Sequence, residues 1–138
     1  MSWTPRQGDT PFEILGGAGV VDRISERFYD HMELLEPELA ALHPCDEPGR
    51  VSRQSRENFR KFLHFWLGGP RTYLEERGHP MLRARHAPFP VDKRMRDAWL
   101  NSMRAALDEL GIHGEMREFL DGRFAHVADF LRNVEEAD

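Results

Sequence analysis

Along most of the chain, apolar residues recur at steps of three and four, and nowhere do they alternate with period two over a useful length. That periodicity predicts helices and no sheet. From Ala18 to about Glu33, Val21, Ile24, Phe28 and Met32 share one stripe, with Tyr29 beside it, so its ring reaches the core and its hydroxyl reaches whatever the core encloses. Pro11 to Leu15 makes a single turn before this helix, ended by Gly16-Gly17, which can take positive φ and reverse the chain. Glu36-Pro37 opens a shorter helix with Leu39 and Leu42, and Pro44 stops it, leaving His43 at a helix-to-loop corner. Cys45 to Gly49 reads as a loop. Val51 to Leu67 reads as the next helix, with Ser55, Phe59, Phe62, Leu63 and Trp66 inward, and Gly68-Gly69-Pro70 terminates it.

Arg71 to Gly78 reads as a connector containing Tyr73, and Pro80 and Pro88 frame a helix of barely two turns. Asp92 is a good N-cap for a long helix in which Met95, Trp99 and Met103 lie four apart, Ala98, Ala106 and Leu107 widen the stripe, and Gly111 sits at the C-terminal cap. A last helix from about His113 to Glu135 carries Met116, Phe119, Leu120, Phe124, Val127, Phe130, Leu131 and Val134 as its inward stripe. The aperiodic, polar residues 1–10 read as a mobile extension, and residues 11–138 as one all-α domain.

Composition narrows the function. With 40% hydrophobic and 31% charged residues, the 138-residue chain is an ordinary globular domain with room for a core. Its net charge of -5, without a long basic run, argues against a nucleic-acid partner. No apolar run approaches the roughly 20 residues that span a bilayer, and no basic start precedes an apolar signal core, so no membrane partner is expected and the default compartment is the cytoplasm. One cysteine, Cys45, excludes an internal disulfide and a Cys-x-x-Cys-His haem attachment. The seven histidines stand at no zinc spacing.

The stretch that concentrates chemistry runs from Gly78 to Phe89. A helix this short is marginal alone and must pack on something larger. Met81, Leu82 and Phe89 offer apolar contacts, and Arg85 puts a delocalised cation beside His86. An apolar disc with carboxylates on its rim suits that combination. Gly68-Gly69-Pro70-Arg71-Thr72-Tyr73, then Gly78-His79-Pro80-Met81-Leu82-Arg83-Ala84-Arg85-His86-Ala87-Pro88-Phe89-Pro90, then Asp97-Ala98-Trp99-Leu100 resemble the second group of truncated haemoglobins, over roughly Pro11 to Val134. The resemblance implies a two-over-two helical sandwich around non-covalent haem b.

It further implies that His86 is the proximal iron ligand and Trp99 the distal tryptophan. Arg85 and Tyr73 match positions that bind the haem propionates, with Lys61 and Arg60 as weaker candidates, and His79 looks structural. The apolar body of the haem is expected on Phe59, Phe62, Met81, Leu82, Phe89, Val91, Met95 and Trp99. Tyr29, His43, Ser55 and Trp99 form the distal polar set. His43 departs from the tyrosine or phenylalanine common at its position, Phe59 is apolar where relatives can be polar, and the Ser55 hydroxyl has its own helix backbone as an alternative partner.

Two functions fit. One is reversible binding of dioxygen or another diatomic ligand, where donors aimed at the partly negative outer oxygen slow escape. The other is a haem redox enzyme acting on peroxide, nitric oxide or another reactive species, with a reductase as electron donor. Binding ranks first, since no distal arginine is evidently poised for peroxide cleavage and no reductase domain is fused. Without the His86 stretch, a haem-free helical module would be the reading.

Overall fold

The structure, a computed structural model, describes residues 10–78 and 91–132. Within them are seven α-helices and one two-stranded hairpin. Helix α1 (Pro11–Leu15) is capped by Thr10, whose hydroxyl accepts from the Glu13 N–H at 3.1 Å. Gly16 and Gly17 at φ 115° and 85° then turn the chain into α2 (Ala18–Leu35), as their freedom at positive φ allows. The expected stripe of α2 is buried, together with Ser25 and Tyr29. Helix α3 (Pro37–Ala40) begins on its proline, and His43 lies beyond its end.

The segments after Pro44 and before Gly78 differ from the sequence reading, and the last helix ends at Phe130, short of the expected Glu135. The expected loop after Pro44 contains a hairpin, β1 (Cys45–Glu47) with β2 (Arg50–Val51), Cys45 opposite Val51 and Glu47 opposite Arg50. Strands of three and two residues are too short to leave a periodic signal, and distant partners hold them. The Val51 N–H donates to the Glu33 carboxylate of α2 at 2.7 Å, and the Ser52 N–H to the Pro44 carbonyl at 2.8 Å. Val51 therefore belongs to the hairpin, and α4 (Arg53–Trp66) starts two residues later, on Ser52 as N-cap. The connector before Gly78 is also helical: α5 (Thr72–Arg77) buries Tyr73 against Phe62, ring centroids 5.6 Å apart.

Gly68-Gly69 stops α4 and also gives α1 a place to lie. The Phe12 N–H donates to the Leu67 carbonyl at 2.9 Å, the Gly69 N–H to the His64 carbonyl at 2.8 Å, and the Phe12 ring covers Gly69 so closely that a Cβ there would lie 2.5 Å from it.

Helix α6 (Lys93–Glu109) is capped as expected, the Asp92 carboxylate accepting from the Met95 N–H at 2.9 Å. It closes on Gly111 at φ 72°, with the Ile112 N–H returning to the Leu107 carbonyl at 3.0 Å. Helix α7 (Gly114–Phe130) buries Met116, Leu120, Phe124 and Ala128. Phe130, expected on that stripe, is 53% exposed. Six residues beyond Phe124 it lies about 240° further round the helix, away from the inward face.

Helix α2 packs against both α4 and α6, and α6 against α7. The core between them is led by Phe28, Ile24, Met32, Leu63, Met103 and Leu107, all fully buried. Each such side chain contributes roughly 1.5 to 3 kcal/mol relative to exposure. Gly69→Ala, by forcing Phe12 off the end of α4, is expected to destabilise the fold by about 1 to 3 kcal/mol in urea unfolding; an unchanged midpoint would show that this contact carries no stability.

Candidate functional site

Phe59, half-buried on α4, is the hub of an aromatic cluster. Its ring centroid is 5.0 Å from that of Phe28, 5.6 Å from Tyr29, 6.3 Å from Phe62 and 6.4 Å from Trp99. The His43 ring stands edge-on to Tyr29 at 5.7 Å, and Phe62 continues the row to Tyr73. Adjacent residues on a helix point about 100° apart, so Phe28 enters the core while Tyr29 turns towards the corner where α3 ends. Two of the four expected distal residues, Tyr29 and Trp99, thus flank one phenylalanine contributed by α4, and a third, His43, stands against Tyr29.

Ser55 is placed differently. Its N–H donates to the Ser52 hydroxyl, and that hydroxyl donates to Ser55 Oγ, both at 3.1 Å, so Ser55 is engaged in the cap of its own helix. His43 Nδ1 lies 3.0 Å from the Leu39 carbonyl. A carbonyl only accepts, so this nitrogen carries the proton and Nε2 is an acceptor in the neutral ring.

A porphyrin needs a broad apolar wall with few polar groups. Phe59, Phe62, Trp99, Met95 and Val91 are all half-buried, and the first four come from the facing helices α4 and α6. The residues present fit the group. The weaker cationic candidates are engaged elsewhere: Lys61 pairs with Glu76 at 2.8 Å and Arg60 with Glu57 at 2.7 Å. His79, Met81, Leu82, Arg85, His86 and Phe89 lie outside the described residues. Among the described residues, no group of three His, Cys, Asp or Glu side chains is gathered to hold a metal ion. Two surface clefts, of about 430 and 300 Å³, are lined by other residues, such as Lys93 and Asn101 in one and Leu110 and Ile112 in the other.

The sequence reading missed two buried polar groups of α4. Arg56, 4% exposed, donates to Glu26 at 2.8 Å, Asp30 at 3.0 Å and Glu33 at 2.8 Å. His64, 7% exposed, meets the Asp22 carboxylate at 2.5 Å under the Phe12 ring. A signal for Arg56 existed: Glu26, Asp30 and Glu33 repeat at steps of four and three, an acidic stripe beside the apolar one. Next to this network, burial pushes the Tyr29 phenol well above its ordinary range, and the Arg56 charge works against that shift.

Glu26 titrates below the usual carboxylate range, chiefly because Arg53 hydrogen-bonds it and further because the Arg56 and Arg53 charges stabilise its anion. A depressed carboxylate stabilises the fold above its unfolded pKa, about 4.3, and loses that contribution as pH falls through the folded value. The stability advantage of the wild type over Glu26→Gln is therefore expected to shrink from about pH 5 towards pH 3. Denaturant unfolding of both proteins across that range checks it, and a constant difference would contradict it.

A protein-family model described as bacterial-like globin matches residues 10–133. The chain is 41% identical over 133 residues to the group 2 truncated hemoglobin YjbI of Bacillus subtilis (strain 168), covering 94% of this chain and 93% of that protein. The crystal structure of the group II truncated hemoglobin from Bacillus anthracis matches with a TM-score of 0.83 at 38% identity, over 92% of this chain and 98% of that one. The truncated oxygen-avid haemoglobin from Bacillus subtilis matches with a TM-score of 0.81 at 38% identity, over 91% of this chain and 100% of that one.

Proposed function

The chain belongs to the bacterial-like globin family, and we propose that within it His86 ligates the haem iron while Tyr29, His43 and Trp99 hold the bound ligand. It is an all-α truncated globin of the two-over-two kind, a haem protein that binds a small diatomic ligand. The observation that carries the distal assignment is the cluster itself, in which Tyr29 and Trp99 flank Phe59 and His43 stands edge-on to Tyr29.

The haem, when bound, supplies the iron at which the diatomic gas is held. The protein supplies everything around it. Phe59, Phe62, Met95 and Val91 give an apolar wall that keeps out water, joined in this reading by Met81, Leu82 and Phe89. Arg85 and Tyr73 pair with the propionates. Trp99 offers an indole N–H, a donor only, and Tyr29 a phenol kept protonated by burial. Both suit the partial negative charge on the outer atom of dioxygen, which is the ligand we assign.

Binding is favoured over peroxide cleavage by the state of Arg56. Among the described residues it is the arginine that lies over the Tyr29 ring, and its guanidinium is committed to three carboxylates. The reading also includes a globin domain over residues 11–138 with residues 1–10 as an extension, a cytoplasmic location and a separate reductase that keeps the iron reduced. Among the described residues, no helix is long and apolar enough to cross a membrane.

Two experiments test the assignments. His86→Ala is expected to lose the absorption spectrum of a histidine-ligated globin and to bind haem far more weakly; an unchanged spectrum and affinity would remove His86 from the iron. For His43, Nε2 becomes a donor only on protonation, because Nδ1 is already given to Leu39. Dioxygen dissociation should therefore slow as pH falls from about 8 to 5.5, and His43→Phe should flatten that dependence. Parallel profiles in stopped-flow measurements would place His43 outside the ligand network.

A further inference from the structure

We propose that Arg56 is the positioning residue of the distal pocket, holding Tyr29 in the orientation in which it donates to the bound ligand. The inference rests on the distal role assigned to Tyr29 above. The guanidinium carbon of Arg56 lies 5.5 Å from the centre of the Tyr29 ring, over its face. Every arm of the fork is engaged elsewhere. Nη1 donates to Glu26 Oε1 at 2.8 Å and Asp30 Oδ1 at 3.0 Å, Nη2 to Glu33 Oε2 at 2.8 Å, and Nε to the Val51 carbonyl at 3.4 Å. One planar cation thereby ties α2, α4 and the hairpin together, and its plane is fixed by partners on three sides.

Stability alone does not account for such a group. A buried ion pair is often no better than apolar side chains of the same volume, and Leu63 and Phe59 already pack α4 on the core. What an apolar replacement cannot do is lie on a phenol as a cation. A positive charge over the ring draws on its π-electrons and polarises the O–H, which makes Tyr29 a better donor, while Phe28, Phe59 and His43 meet the ring edge-on. Each carboxylate has a further arginine outside, Arg53 on Glu26 at 2.8 Å, Arg27 on Asp30 at 2.8 Å and Arg50 on Glu33 at 3.5 Å, with Arg27 shared by Glu109 and Arg53 by Glu57, and the cation in contact with the ring is that of Arg56. The Arg56 charge acting against the burial of the Tyr29 phenol agrees with this geometry.

The test is a double-mutant cycle on the haem-loaded protein, with stopped-flow dioxygen dissociation as one readout. Arg56→Met is expected to quicken dissociation roughly fivefold, the size of one weakened hydrogen bond, and to have no effect in a Tyr29→Phe background. Arg56→Lys keeps a charge among the carboxylates but cannot fill the fork, so it should fold where the methionine variant does not, and should quicken dissociation to a lesser degree in the same background-dependent way. A second readout does not depend on turnover. The chain has two tyrosines, Tyr29 and Tyr73, so the ¹³Cζ resonances of the carbonmonoxy protein give one probe and one internal control. Either Arg56 variant should move the Tyr29 resonance and leave that of Tyr73. Equal acceleration in both backgrounds, or an unmoved Tyr29 resonance, would reduce Arg56 to a structural ion pair. If Tyr29→Phe alone left dissociation unchanged, the distal role of Tyr29 would fall first, and this inference with it.

Discussion

The junction between α2 and α4 is the constraint on which the rest of the structure depends. On its apolar side Phe28 stacks on Phe59 at 5.0 Å, and on its polar side Arg56 meets Glu26, Asp30 and Glu33. The two sides do different physical work. Burial of the rings supplies non-directional free energy, whereas the guanidinium fork fixes rotation and register, because its hydrogen bonds work only over a narrow range of angles. Any slide of α4 along α2 would break three charge-assisted bonds and strand a buried cation.

From that junction the aromatic cluster follows. Tyr29 is next to Phe28 in sequence and so is carried to the edge of the same interface. His43 reaches it because α3 is a single turn that starts on Pro37 and ends at Ala40, and the hairpin beyond is tied back to Glu33 through the Val51 N–H. Trp99 arrives from α6, whose start is set by the Asp92 cap and whose end is set by Gly111. Three side chains from three parts of the chain are brought to this cluster because each is anchored separately. That arrangement suits a site that must hold a small ligand by direction as well as by volume.

Two buried polar pairs give the α-helical layers their specificity. Arg56 joins α4 to α2 towards the distal corner, and His64 with Asp22 joins the same helices at the other end, where Phe12 and Gly69 also meet. Both use side chains that a hydrophobicity pattern scores as surface. Their burial reflects partners, since a charged group is tolerated inside only when its counter-charge and hydrogen bonds travel with it.

The sequence by itself determined the helices whose information is local: the stripe Val21, Ile24, Phe28 and Met32, the Asp92 cap, the reversals at Gly16-Gly17 and Gly111, and the proline start of α3. Tyr29, His43 and Trp99 were singled out as a set by the resemblance to truncated haemoglobins, and no local pattern groups them. Only the tertiary structure decided the rest. The hairpin over Cys45 to Val51 exists because Glu33 of α2 accepts from it, and no window of five residues carries that fact. The burial of Arg56 needs the three carboxylates that α2 brings to it, and Ser55, for which the pattern leaves both a pocket role and a partner in its own helix open, is set against the Ser52 hydroxyl of the cap. Local propensity is set by a residue and its near neighbours, whereas burial of charge and pairing of short strands are set by groups brought together from distant parts of the chain.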